Sequence, residues 1–227
     1  MKLFLTGIVI TTTLLLTQGC SSNVTSQNQS EASSPTSTDA SGMKGHGGMA
    51  QGSHMNHSMN MDLGPADADY DLRFIDAMTP HHQGAVKMAQ EALQKSKRSE
   101  IKQLADNIIK AQNKEISQMK QWRKAWYPKA GDKPMAYSTQ MGHMMEMSPE
   151  QMQSMMMSMD LGAADADFDR RFINAMIPHH EGALVMAKDA LGKSKRAEIQ
   201  QLSKDILASQ QKEIDQMKQW RQAWYKQ

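Results

Sequence analysis

One cysteine in 227 residues, Cys20, leaves no partner for an intramolecular disulfide and no thiol in the part of the chain that can fold. A thiolate is readily lost to oxidation in an oxidising compartment, whereas thioether and imidazole persist there and still bind soft metal. Charge of one sign is equally scarce. Lys+Arg 26 against Asp+Glu 24 gives a formal net charge of +2, too small to direct the chain to nucleic acid. The longest mostly apolar run, 3–16, falls short of the roughly 20 residues that a dependable membrane span requires. Catalytic signatures are missing too: there is no Glu-x-x-His, which di-iron chemistry on a helical bundle needs together with further inward Glu residues. Nor is there a nucleophile with its base, a Gly-rich phosphate loop or a Cys/His zinc pattern, so hydrolase and nucleotide roles have no support.

What the chain has instead is methionine, 22 residues of it, or about one in ten, although Met is not among the commonest residues. Its placement follows the organisation of the chain. Lys2, the apolar run and Gly19-Cys20-Ser21-Ser22 read as a secretory signal over 1–19 with a lipoprotein-like cleavage site, although Thr17 stands where such a site usually has Leu. The expected location is periplasmic or extracellular, with a lipid on Cys20 as the one membrane attachment and ordinary secretion as the alternative. Residues 20–61 read as a disordered tether, Ser/Thr/Asn/Gln-rich at first and then carrying Met43, His46, Met49, His54, Met55, His57, Met59 and Met61.

Beyond the tether the sequence repeats: residues 62–127 match 160–225 without a gap at roughly two-thirds identity, which marks two copies of one structural unit. Each copy predicts two helices. The first starts near Ala66 or Ala164, with acidic residues at its positive end, and runs to about Leu93 or Leu191; Ser96 or Ser194 then caps the second. Apolar residues recur every three or four positions, as at Ile101, Leu104, Ile108, Gln112, Ile116, Met119, Trp122 and Trp126. A lone hairpin of helices about 42 Å long would leave much of both stripes wet, so the expected fold is all-α, an antiparallel four-helix bundle built from hairpins 62–127 and 160–227. Dimerisation through separate hairpins is the alternative. The linker 128–159 contains Pro128, Gly131 and Pro134 and then turns Met-rich, with Met141, His143, Met144, Met145 and Met147. Ser148-Pro149-Glu150 starts a short helix that carries Met152, Met155, Met156 and Met159.

The chemistry is most concentrated where MTPHHQGAVKMA at 78–89 returns as MIPHHEGALVMA at 176–187. On a helix Met78 and His82 are one turn apart, and His81 and Met88 two turns apart; Met176, His179, His180 and Met186 repeat the set. Thioether with imidazole suits Cu(I), with Cu(II) as a second state and Ag(I) as a mimic, while imidazole alone would also take Zn(II). Met at helical spacing is ordinarily core filler, and Met119 and Met217 are as well explained that way as by ligation. Adjacent buried imidazoles are harder to explain as filler, because their nitrogens need partners. Imidazole sites should weaken as pH falls from about 7 to about 5, whereas thioether sites should not. Pro80 and Pro178, just before the His pairs, remove a helical hydrogen bond.

The sequence of Phe, Met, Pro, His-His, Gly-Ala and Met-Ala on one helix, then Gln, Glu-Ile, Met and Trp on the next, resembles family 305 of the domains of unknown function. The resemblance covers both repeats and implies a ferritin-like helical bundle. The signal segment, Met-rich tether and paired domains are most similar to copper-binding members of that family, which implies copper binding and copper tolerance; copper-transfer or copper-export proteins are the expected partners. The expected function is Cu(I) sequestration or transfer outside the cytoplasm, without catalysis. The alternatives are a metal-dependent redox enzyme on a ferritin-like bundle and a structural lipoprotein whose Met residues only pack.

Overall fold

The computed structural model describes residues 62–227; the signal segment, the tether with its expected disorder and its Met/His strip lie outside the described residues. Seven elements follow in order: α1 (Tyr70–Lys95), α2 (Ser99–Trp126), β1 (Met135–Ser138), β2 (His143–Glu146), α3 (Pro149–Met156), α4 (Phe168–Lys193) and α5 (Ala197–Tyr225). The fold is all-α apart from one two-stranded hairpin.

The long helices begin later than Ala66 and Ala164 because the acidic residues there are engaged in turns. Asp67 Oδ1 accepts from Asp69 N (3.0 Å), and Asp165 Oδ1 accepts from Asp167 N (3.0 Å). Arg73 and Arg171 then reach back from the first turns to tie down these lead-in segments. Arg73 Nε donates to Leu63 O (2.6 Å) and Arg171 Nε to Leu161 O (2.7 Å). Ser96 and Ser194 do not cap α2 and α5; they close α1 and α4, their backbone N–H groups donating to Ala92 O and Ala190 O. Their hydroxyls accept from Arg98 N (3.1 Å) and Arg196 N (3.2 Å), the residues at which the second helices start. Both first helices run unbroken through Pro80 and Pro178.

α1 pairs with α2, α4 with α5, and the two hairpins meet along α1 and α4. The core shows how they are oriented. The second half of α1 (Ala85, Met88, Ala89, Ala92) packs with the first half of α4 (Phe168, Phe172, Ile173, Met176), and the first half of α1 packs with the second half of α4. The two helices are therefore antiparallel, and each of the two core lobes draws on all four long helices. Contacts between the hairpins come in pairs with the roles exchanged. Lys95 Nζ donates to Gly162 O (2.6 Å) and Lys193 Nζ to Gly64 O (2.8 Å). The Arg98 guanidinium lies 4.2 Å over Trp224, and Arg196 lies 4.1 Å over Trp126.

The linker breaks this exchange, because β1 and α3 pack mainly on α1. The β-hairpin is not signalled by the sequence, whose strands MAYS and HMME are short and lack β-branched residues. It is imposed by tertiary anchors, as strand preference often is: buried Asp76 accepts from Met135 N (2.9 Å) and holds Arg123, which also donates to Lys133 O (2.9 Å). α3 does follow its sequence signal, with a complete capping box between Ser148 and Gln151. It lies close against α1 at Gly84, where a Cβ would stand 1.7 Å from Met156 O. Among the described residues no helix is long and apolar enough to cross a membrane.

Candidate metal centre

Between the two apolar lobes lies a polar layer. His81, His82, His179 and His180 are all at most 1% exposed, and Gln112 and Gln210 are buried beside them. Adjacent residues on a helix point about 100° apart, so the two histidines of each pair face different neighbours. His81 faces the other hairpin, where its ring centroid lies 3.9 Å from that of His179. His82 faces its own hairpin: its Nε2–H donates to Glu115 Oε2 at 2.7 Å, and His180 makes the same bond to Glu213 Oε2 at 2.7 Å.

A carboxylate that accepts from Nε2 fixes that proton, so in the neutral ring Nδ1 carries the lone pair. The Nδ1 atoms of His82 and His180 have no hydrogen-bond partner among the described residues. Neither nitrogen of His81 has one, and His179 uses only Nε2, which donates to Met156 O at 3.2 Å. Burial, reinforced by the neighbouring imidazoles, pushes His81 well below the ordinary histidine range. The same causes lower His179 to about 3. Both rings are therefore neutral donors at any pH near 7. Orphaned buried nitrogens are uncommon and costly, and each neutral ring has one nitrogen whose lone pair a cation can satisfy.

Thioethers flank the layer on both sides. Met78, Met119 and Met186 belong to one core lobe, and their counterparts Met176, Met217 and Met88 to the other; all six are fully buried. Each lobe thus combines two sulfurs from one hairpin with one from the other. Met78 and Met88, which share a helix stripe, lie in different lobes. Among the described residues no three His, Cys, Asp or Glu side chains converge as a metal-holding group.

The linker residues are dispersed. Met141, Met145 and Met159 are exposed, as is His143, whose Nδ1 pairs with Met144 O at 3.0 Å. Met144 is half-buried on β2. Met147, Met152 and Met155 pack against the lobe that contains Met78, and Met156 presents its carbonyl to His179. His46, Met49, His54, Met55, His57, Met59 and Met61 lie outside the described residues. Helical spacing alone does not single out Glu115 and Glu213 as partners of the His pairs. The signal available in the sequence is Gln112 and Gln210, polar residues on an otherwise apolar stripe one turn earlier.

Known proteins resemble this chain in sequence and in fold. The sequence profile of the domain of unknown function DUF305 matches residues 15–123 and 71–221. Solved structures of CopM in Cu(I)-bound, Cu(II)-bound and Ag-bound forms are between 40% and 44% identical to this chain. Each covers 68% of this chain and 97% of its own, with TM-scores of 0.54 to 0.55. A DUF305 fragment from Deinococcus radiodurans is 26% identical, over 68% of this chain and 96% of its own, with a TM-score of 0.52. An uncharacterized protein of Acanthamoeba polyphaga mimivirus is 45% identical over 49 residues, which are 22% of this chain and 32% of that protein. The match thus spans about a third of that curated relative.

Proposed function

Since the chain belongs to the DUF305 family, with CopM among its relatives, we propose that it is a copper-binding protein acting outside the cytoplasm, which sequesters or hands on Cu(I) and thereby supports copper tolerance. The observation that carries this reading is the buried layer of four imidazoles with unpartnered nitrogens, flanked by two sets of three buried thioethers. Soft sulfur beside imidazole favours Cu(I) over zinc or iron. Glu115 and Glu213 would orient His82 and His180 from behind, the usual role of a carboxylate on a ligating histidine. The chain's part is to hold and release the ion, not to turn over a substrate.

The N-terminal Met/His strip and the Met-rich linker would serve as further or transfer sites, and copper-export or copper-transfer proteins as partners. Lipidation of Cys20 would keep the molecule at a membrane surface. Metal analysis and competition titration of the mature protein test the central claim. Cu(I) should bind far more tightly than Zn(II) or Fe(II), with Ag(I) competing for the same sites. Zinc affinity equal to that for Cu(I) would remove the basis for a thioether site.

A further inference from the structure

A separate group of thioethers lies outside the imidazole layer. Met135 of β1, Met147 just ahead of α3 and Met155 of α3 line one cavity of about 160 Å³ against α1, together with Tyr137. The three sulfurs come from three pieces of backbone, and each piece is anchored by hydrogen bonds. Met135 N donates to Asp76 Oδ2 (2.9 Å), Met147 N donates to Pro134 O (2.8 Å), and α3 is held by its capping box. Methionine in a core ordinarily adapts its shape to close gaps. Here three methionines stand on the wall of a space that they leave open.

Arg73 stands on the wall without excluding a cation. That guanidinium is committed to Leu63 O, to Pro65 O (2.7 Å) and to Asp67 at 2.9 Å, which balances its charge. The Asp62 carboxylate, also on the wall, accepts from Gly64 N (2.9 Å). The cavity lining contains no imidazole and no thiol, so its only soft donors are thioethers, and these suit Cu(I) and Ag(I) rather than zinc.

We propose that Met135, Met147 and Met155 form a thioether-only Cu(I) site in this cavity, distinct from the sites beside the imidazole layer. The inference rests on the copper-binding reading above and adds to it a site found on one repeat only, because every lining residue belongs to the first repeat or to the linker. Thioether does not titrate in mild acid, so this site should hold its ion equally at pH about 7 and about 5.

The test uses the full chain and its variant M135L/M147L/M155L, a swap that nearly conserves volume. Both are titrated with Cu(I) against a competing chelator at pH about 7 and about 5. The variant should bind one fewer Cu(I) per chain at both pH values, with unchanged helicity. Equal capacity in the two proteins overturns the proposal while leaving the broader copper reading intact; no Cu(I) bound by the unsubstituted chain overturns both. Should the variant fail to fold, methionine-methyl NMR of the unsubstituted protein decides. The three methyl resonances should shift together as Ag(I) is added, and resonances that stay in place at saturating Ag(I) overturn the site.

Discussion

At the scale of single residues, the buried histidines link pH to stability. His179 titrates near 3 in the folded chain and His81 well below its usual range, whereas in the unfolded chain both titrate near 6.5. Above about 6.5 both states are neutral at these rings and no penalty arises. Between about 6.5 and 3 the unfolded chain takes up protons that the fold excludes, so stability declines as pH falls and levels off below the folded value. The cost from His179 is at most about 1.4 kcal/mol per pH unit. The melting temperature of the metal-free protein should fall through that window, and the H81L/H179L variant should show a flatter profile. If copper sits at these two rings as proposed, the same burial should lower the pH at which protons compete with it, below the window of about 7 to 5 expected for exposed imidazole. Glu115 and Glu213 permit a second test. Removing an acceptor by Glu115→Ala leaves the buried Nε2 of His82 without a partner, at a cost of about 1–3 kcal/mol. It should also weaken copper binding by roughly 10–100-fold. Glu115→Gln, which keeps an acceptor oxygen, should lose less in both denaturant titration and metal competition.

At the scale of elements, the docking of α3 depends on the absence of a side chain at Gly84. Gly84→Ala forces a methyl into the Met156 carbonyl and should lift α3 from α1, at about 1–3 kcal/mol. The α3 amides should then exchange rapidly with solvent while the long helices remain protected. Gly192, near the end of α4, has open space for 4 Å around the point where a methyl would stand, so Gly192→Ala should stabilise by roughly 0.5–1 kcal/mol in the same measurement. This contrast also marks how far the sequence is informative. The long helices are legible because Ile101, Leu104, Ile108 and their counterparts repeat at helical spacing, and α3 because Ser148-Pro149 is a local start signal. The β-hairpin is not, since it depends on Asp76, a residue far away in the chain. The ligand candidates Met78, His81 and His82 are legible as residue types in a pattern. That His81 faces His179, and that Met88 joins Met176 and Met217 rather than Met78, depends on how two hairpins cross, which no local spacing encodes. Met135 carries no signal in the sequence for the same reason, because only the folded linker brings it beside Met147 and Met155.

At the scale of the molecule, residues 62–227 contain both core lobes and the imidazole layer, so a chain beginning at Met61 should stay helical and keep part of its copper capacity. Circular dichroism and metal analysis check this, and loss of helicity would assign the N-terminal segment to the fold. The paired contacts between the hairpins have a further consequence. Lys95 to Gly162 and Lys193 to Gly64, Arg98 on Trp224 and Arg196 on Trp126 describe an isologous interface, the kind that identical subunits form about a two-fold axis. Each hairpin therefore presents a nearly self-complementary surface, and the linker converts what would be a bimolecular encounter into an internal one at an effective concentration on the order of millimolar. The intact chain should melt at a temperature independent of dilution, whereas two hairpins severed at the linker should melt lower as they are diluted. Joining the repeats in one polypeptide thus lets the imidazole layer assemble at concentrations where free halves would drift apart.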